Sequence, residues 1–203
     1  GDSLSIGGNH LIHGIHKNIN CVYVLYDNQI YGLTKNQTSP TTRQGQETMT
    51  QPKGTYIDPI NPLRFALGLK ASFVASSADW MSDHLNNVLD KAMQHDGFAF
   101  VHVAQRCPKF NPKAWDYRDS SWMTFLTHAD HGVPEDKRHN EHSKITEHDP
   151  TDFAAAMVHS EEAPNIFGIL YQESKASYDD ILLSQTKNAK SMSHDELLDR
   201  FRI

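Results

Sequence analysis

An α/β fold with a mostly parallel sheet is the class this sequence predicts, on three observations. Residues 21–26 (CVYVLY) and 98–104 (FAFVHVA) are continuous β-prone runs, the pattern of parallel strands covered on both faces. Around them lie stretches of helical spacing, among them 7–18 and 79–95. With 203 residues, 38% hydrophobic and 22% charged, the chain is long enough for one well-buried α/β core. One domain over 1–203 is therefore expected.

The elements follow in order. Residues 7–18 read as a helix that starts on small residues and carries Leu11, Ile12 and Ile15 as an apolar stripe. His10, His13 and His16 recur on it every third residue, but metal triads rarely come from one short helix, so surface or half-buried histidines are expected. Cys21 opens the first strand and reads as a small core residue. Residues 34–62 have neither a twofold nor a 3.6-fold period, and a loop of that length in a compact domain is usually functional. A short helix over 61–69 is capped by Asn61, with Pro62 at its first position. A strand over 71–75 follows. A helix over 79–95 then buries Trp80, Leu85, Val88, Leu89, Ala92 and Met93 and stops at Gly97. After the strand 98–104 come Arg106, Cys107 and Pro108, at a strand end where ligands gather in open α/β sheets.

Residues 113–150 form a polar, histidine-rich segment. The His128/His131 and His139/His142 spacings suggest zinc, yet with His148 they lack an accompanying cysteine or a framing strand, so a solvated loop covering the strand-end ligand site is expected. Residues 151–203 read as helix, strand, helix. Asp149-Pro150-Thr151 caps a helix through His159, a strand covers 165–171, and 177–183 is weakly helical. A short amphipathic tail over 193–202 carries Leu197, Leu198 and Phe201.

The formal net charge of −6 gives no basic face for nucleic acid. No apolar run approaches the roughly eighteen residues of a membrane span, and there are two cysteines, Cys21 and Cys107, so a reduced, cytoplasmic protein without a membrane partner is expected.

The chemistry concentrates in residues 1–40. A helix N-terminus beyond strand ends presents N–H groups to an anion. Gly1-Asp2 and Asp27-Asn28 would lie at two such ends. A hard divalent cation takes oxygen ligands and leaves phosphates to complete its shell. An Asn side-chain oxygen and a nearby carbonyl, in a tight turn holding Gly32, suit a magnesium-diphosphate group; the same dipeptides are also ordinary turn formers.

Three blocks in order carry a resemblance: Gly1-Asp2; Ile6-Gly7-Gly8-Asn9-His10; and Asn28-Gln29-Ile30-Tyr31-Gly32-Leu33-Thr34, running on to Gln37-Thr38-Ser39-Pro40-Thr41-Thr42. They resemble the thiamine-diphosphate motif of the beta subunits of 2-oxoacid:ferredoxin oxidoreductases, which opens with GDGD. The resemblance implies a thiamine-diphosphate-binding fold, three layers α/β/α, with 1–112 as its cofactor-binding core. It implies Asn28 by its side chain and Ile30 by its carbonyl as Mg2+ ligands, with Gly1, Asp2, Asn9, Gly32 and Leu33 lining the cofactor. The first Asp of GDGD would precede Gly1, so a fragment is expected. Lys35, directly after the YGLT block, is implied to face a substrate carboxylate, with Thr34 beside it. Cys107 resembles the cysteine of the family's C-P-x-F-N block, the last ligand of a [4Fe–4S] cluster whose other ligands lie upstream; Arg106 replaces a commoner small residue.

The implied activity is oxidative decarboxylation of 2-oxoglutarate with coenzyme A, electrons passing to ferredoxin, only together with the alpha subunit. Other 2-oxoacids remain open as substrates. The alternative is a non-redox thiamine-diphosphate-dependent decarboxylase or synthase, which needs no Cys107. A third reading, a metal-binding module built on His128 and His131, leaves the 1–40 pattern unexplained.

Overall fold

In a computed structural model of the chain, described over residues 1–139, 141–186 and 193–201, six strands form one mixed sheet flanked by helices. After a 3-10 turn at Asp2–Leu4 come α1 (Gly8–Lys17), β1 (Cys21–Asp27), α2 (Pro62–Gly68), β2 (Phe73–Ala78), α3 (Ser82–Met93) and β3 (Phe98–Ala104). Then follow β4 (Thr124–Thr127), β5 (Lys144–Glu147), α4 (Phe153–Ser160), β6 (Ile166–Gln172), α5 (Tyr178–Thr186) and α6 (His194–Asp199). Across the sheet the order is β1-β3-β2-β6-β4-β5. β1, β3 and β2 run parallel; β6 runs antiparallel to β2, and β4 and β5 run parallel to β6.

Strand alternation builds the three layers. On one face Val74, Phe98 and Phe100 pack with Leu11 and Ile15 of α1, Leu63 and Leu67 of α2 and Ala156 of α4. The alternate residues Phe73, Ala75, Ala99, Val101 and Val103 pack with Val88 and Ala92 of α3 on the other. Burial on both sides is why β3 reads as an unbroken apolar run. A third cluster, with Trp80, Trp115 and Phe125, closes one end of the sheet. The local signals hold where the sequence was explicit. Asn61 accepts from the Arg64 amide at 3.0 Å with Pro62 beside it, and Asn18 ends α1 in the left-handed region.

Several expectations are corrected. β1 is an edge strand, so Cys21 at its start is exposed, not a core residue. Ile12 is 40% exposed, because only Leu11 and Ile15 of the α1 stripe reach the sheet, and Met93 at the end of α3 is 66% exposed. His10, His13 and His16 lie at the surface, as expected. α3 begins at Ser82, with Trp80 in the turn before it. The second strand is Phe73–Ala78 where 71–75 was expected. α4 is capped by Asp152, whose carboxylate accepts from the Ala155 amide at 3.0 Å; Asp149 instead closes a turn onto Thr151.

The largest correction concerns the histidine-rich segment, which is framed by β4 and β5. Each is only four residues long and is held by pairing, Thr124 with Ile166 on one side and Lys144 on the other. His148 is buried, its Nε2 2.7 Å from the Leu170 carbonyl, so the segment is not wholly a solvated loop. The C-terminal tail does form a short helix, α6, opened by a capping box between Ser193 and Glu196. The Leu197 side chain and Arg202 lie outside the described residues.

Candidate cofactor site

Parallel register puts the ends of β1 and β3 side by side, Asp27 against Ala104. The two outgoing segments therefore leave together, and the Gln105 amide donates to the Asp27 carbonyl at 2.9 Å. One is the turn 28–37; the other is the loop 105–111 that carries Cys107. A Cβ added to Gly32 would lie 3.5 Å from Cys107 Sγ and 3.9 Å from Asn28 Nδ2, so Asn28, Gly32 and Cys107 wall one small space.

The turn is built by local chemistry. Asn28 Oδ1 accepts from the Ile30 amide at 3.1 Å, and Gln29 sits in the left-handed region with φ +58°. Lys35 donates its amide to the Gly32 carbonyl at 3.1 Å, while Tyr31 and Gln37 pair across the loop. Ile30 is buried and Leu33, at the tip, is 97% exposed. Thr34 and Lys35 are exposed beside it. The segment 37–42 folds beneath the turn: Thr42 Oγ1 donates to the Gln29 carbonyl at 2.8 Å and Thr41 Oγ1 to Asp27 Oδ1 at 2.6 Å.

Gly1 reaches the site as well. Its position against the Tyr31 ring leaves no room for a Cβ, and Ser5 Oγ lies 2.8 Å from the Tyr31 hydroxyl and 3.1 Å from the Gly1 carbonyl. Asp2 and Asn9 are exposed, and the α1 N-terminus at Gly7 has no side-chain cap. The structure thus brings Asn28, Gly32 and Cys107 to one place, with Gly1 against the Tyr31 ring of the same turn and Leu33, Thr34 and Lys35 exposed at its tip.

Sequence reasoning missed what lies underneath. Asp27 is buried, and its carboxylate accepts from the Gln29 amide at 3.0 Å, from Thr41, and from His102 Nε2 at 3.3 Å. His102 Nδ1 in turn lies 3.3 Å from Ser76 Oγ, and both residues are fully buried. Burial works to raise the Asp27 carboxyl; the His102 hydrogen bond and charge, with the Thr41 and Gln29 bonds, outweigh it and hold the group below the ordinary carboxylate value. The signal was His102, one imidazole inside an apolar strand. Asn111 was also missed in this role: it joins the two segments, donating Nδ2 to the Asn28 carbonyl at 3.1 Å and its amide to the Cys107 carbonyl at 3.0 Å.

Beside Cys107 opens a cavity of about 500 Å3 lined by Arg106, Lys113, Trp115, Tyr117 and Arg118. Arg106 is held by Asp79 at 3.0 Å and stacks over Tyr117 at 4.9 Å.

A profile described as the C-terminal TPP-binding domain of thiamine pyrophosphate enzymes matches residues 1–103, half of the chain. The chain belongs to the thiamine pyrophosphate enzymes. Within that family it is similar to the 2-oxoglutarate oxidoreductase subunit KorB of Mycobacterium tuberculosis, 48% identical over 116 residues, which is 57% of this chain and 31% of that protein. It is also similar to the 2-oxoglutarate synthase subunit KorB of Archaeoglobus fulgidus, 38% identical over 108 residues, or 53% of this chain and 40% of the relative. The chain thus spans well under half the length of these relatives. A 2-oxoglutarate:ferredoxin oxidoreductase from Magnetococcus marinus, solved with 2-oxoglutarate, coenzyme A and succinyl-CoA bound, superimposes with a TM-score of 0.82 at 31% identity. That match covers 100% of this chain and 65% of the other.

The turn 28–32 has a donor set suited to a magnesium–diphosphate group. Asn28 and the Ile30 carbonyl are hard oxygen donors of the kind magnesium takes, and Gly32 leaves open the cradle that a side chain would fill. For an iron–sulfur cluster the fit stops at one corner. The described residues bring one thiol here, since Cys21 lies at the far end of β1, and a [4Fe–4S] cluster takes four thiolates. Among the described residues no group of three or more His, Cys, Asp or Glu is placed to hold a metal ion. In the histidine-rich segment, His128 Nδ1 accepts from the Asp130 and His131 amides at 3.2 Å, so that ring nitrogen is committed to its own loop. No helix among the described residues is long and apolar enough to cross a membrane.

Proposed function

We propose that this chain is the thiamine-diphosphate-binding part of the beta subunit of a 2-oxoacid:ferredoxin oxidoreductase acting on 2-oxoglutarate. The reaction joins the acyl group of the 2-oxoacid to coenzyme A, releases carbon dioxide and passes two electrons to ferredoxin. The observation that carries the reading is the junction at the ends of β1 and β3, where the oxygen-donor turn 28–32 meets Cys107. The likeness to 2-oxoglutarate enzymes supports it.

When bound, thiamine diphosphate supplies a ring that accepts the electron pair left by departing carbon dioxide. The chain's own residues bind and orient. Asn28 and the Ile30 carbonyl hold Mg2+, and Gly1, Asp2, Asn9, Gly32 and Leu33 line the cofactor. Lys35, on the exposed turn, offers a cation to a substrate carboxylate, and Thr34 lies beside it with a hydroxyl. Cys107 would provide one ligand of a [4Fe–4S] cluster; the chain's other thiol, Cys21, lies at the far end of β1. The enzyme is cytoplasmic and works only with its alpha subunit.

The test uses the full-length chain with its alpha partner, purified without oxygen. Reduction of a low-potential dye is followed with coenzyme A and, in turn, 2-oxoglutarate, pyruvate and a branched-chain 2-oxoacid. Reduction that requires coenzyme A and is fastest with 2-oxoglutarate is expected. Carbon dioxide release without dye reduction would move the chain to the non-redox decarboxylases.

A further inference from the structure

The cofactor turn is anchored on both sides, but by different means. On the sheet side, Asp27, Thr41, Thr42 and His102 tie it down through a buried network. On the Cys107 side one described side chain hydrogen-bonds to it, that of Asn111. This residue is buried, donates Nδ2 to the Asn28 carbonyl at 3.1 Å, donates its amide to the Cys107 carbonyl at 3.0 Å, and accepts from the Ala114 amide at 3.2 Å. Three bonds from one residue fix the loop 107–114 on itself and on the backbone of Asn28.

We propose that Asn111 is a positioning residue that locks the magnesium-binding turn to the cysteine loop, so that loading magnesium–thiamine diphosphate at Asn28 also orders the segment carrying Cys107. The inference rests on the thiamine reading above. An amide suits the role for a stereochemical reason: Nδ2 faces a carbonyl, and a carboxylate in its place would set oxygen against oxygen. Its bond ends on the carbonyl of Asn28, the residue whose side chain is the proposed metal ligand. The direction of that side chain therefore depends on where the carbonyl is held. The amide bond to the Cys107 carbonyl carries the same constraint to the thiol's own peptide.

The test compares wild-type full-length enzyme with Asn111→Asp, both with the alpha partner. It reads magnesium–thiamine diphosphate affinity by calorimetry and amide hydrogen exchange over 28–37 and 105–114 with and without the cofactor. In the wild type, cofactor should slow exchange in both stretches. In Asn111→Asp, affinity should fall about three- to tenfold, the range of one lost hydrogen bond, and slowing should be confined to 28–37. Asn111→Ser, which keeps the backbone bond to Cys107 and loses only the reach to Asn28, gives the same comparison if the aspartate variant does not accumulate folded. Unchanged affinity in either variant, or equal slowing of 105–114 in variant and wild type, would overturn the role of Asn111. Failure of the wild type to bind magnesium–thiamine diphosphate would overturn the thiamine reading instead.

Discussion

Asp27 decides how firmly the cofactor turn is seated. Its carboxylate is buried against His102, Thr41 and the Gln29 amide, and these partners keep it ionised below the usual range. A depressed folded value means that the stabilisation is complete above about pH 4, the ordinary aspartate value, and is lost as pH falls through the lower folded value. Asp27→Asn keeps an oxygen for Gln29 and Thr41 and removes the charge. Urea unfolding at pH 7 should show a loss of about 1–3 kcal/mol, and the fall in stability below about pH 4 should become shallower. A variant as acid-sensitive as the wild type would show that the network does not bear on the turn. Asn28, Gly32 and Cys107 could be named in advance because they fall in blocks that resemble a known motif, and the structure brings the three side by side. Asp27–His102 and Asn111–Asn28 were not legible, since partners 75 and 83 positions apart meet only through strand register.

At the scale of elements, α3 carries a buried titration site of its own. His84 is 1% exposed, its Nδ1 lies 2.8 Å from Ser77 Oγ, and its buried Nε2 has no hydrogen-bond partner among the described residues. Burial pushes this imidazole down to about 4, against the opposing pull of Asp136 and Glu135. The unfolded chain would therefore bind a proton near pH 6.5 that the folded one refuses, so stability is complete above that value and declines as pH falls from there to about 4. The decline should amount to roughly 3 kcal/mol. His84→Gln should flatten the pH 6.5 to 4 limb of a thermal-unfolding series, and an unchanged limb would place the proton elsewhere. Elements with their own amphipathic or β-prone pattern, such as α1, α3 and β3, could be read directly. β4 and β5 could not: four residues each, in polar surroundings, they are strands because β6 offers an edge to β4, and β4 in turn to β5. Likewise the edge position of β1, which exposes Cys21, is a property of the strand order and leaves no mark on the strand's own sequence.

For the whole molecule, the parallel half of the sheet places its strand ends, and so the turn 28–37 and the loop 105–111, on one rim. The antiparallel β6 then turns the second half of the chain away, with Gly168 at φ +119° lying close under the Leu126 carbonyl where a side chain would not fit. The candidate cofactor residues thus collect at the rim, while residues 113–150 supply a second, strand-framed layer of architecture. The proposed cofactor placement is tested at this rim. The most direct measurement is calorimetric titration of magnesium–thiamine diphosphate into the full-length enzyme, wild type against Asn28→Ala, with and without Mg2+. The expected result is Mg2+-dependent binding that weakens by about tenfold or more in the variant, as loss of a charge-assisted ligand implies. Equal affinity in both proteins, independent of Mg2+, would contradict the placement of the cofactor at this turn.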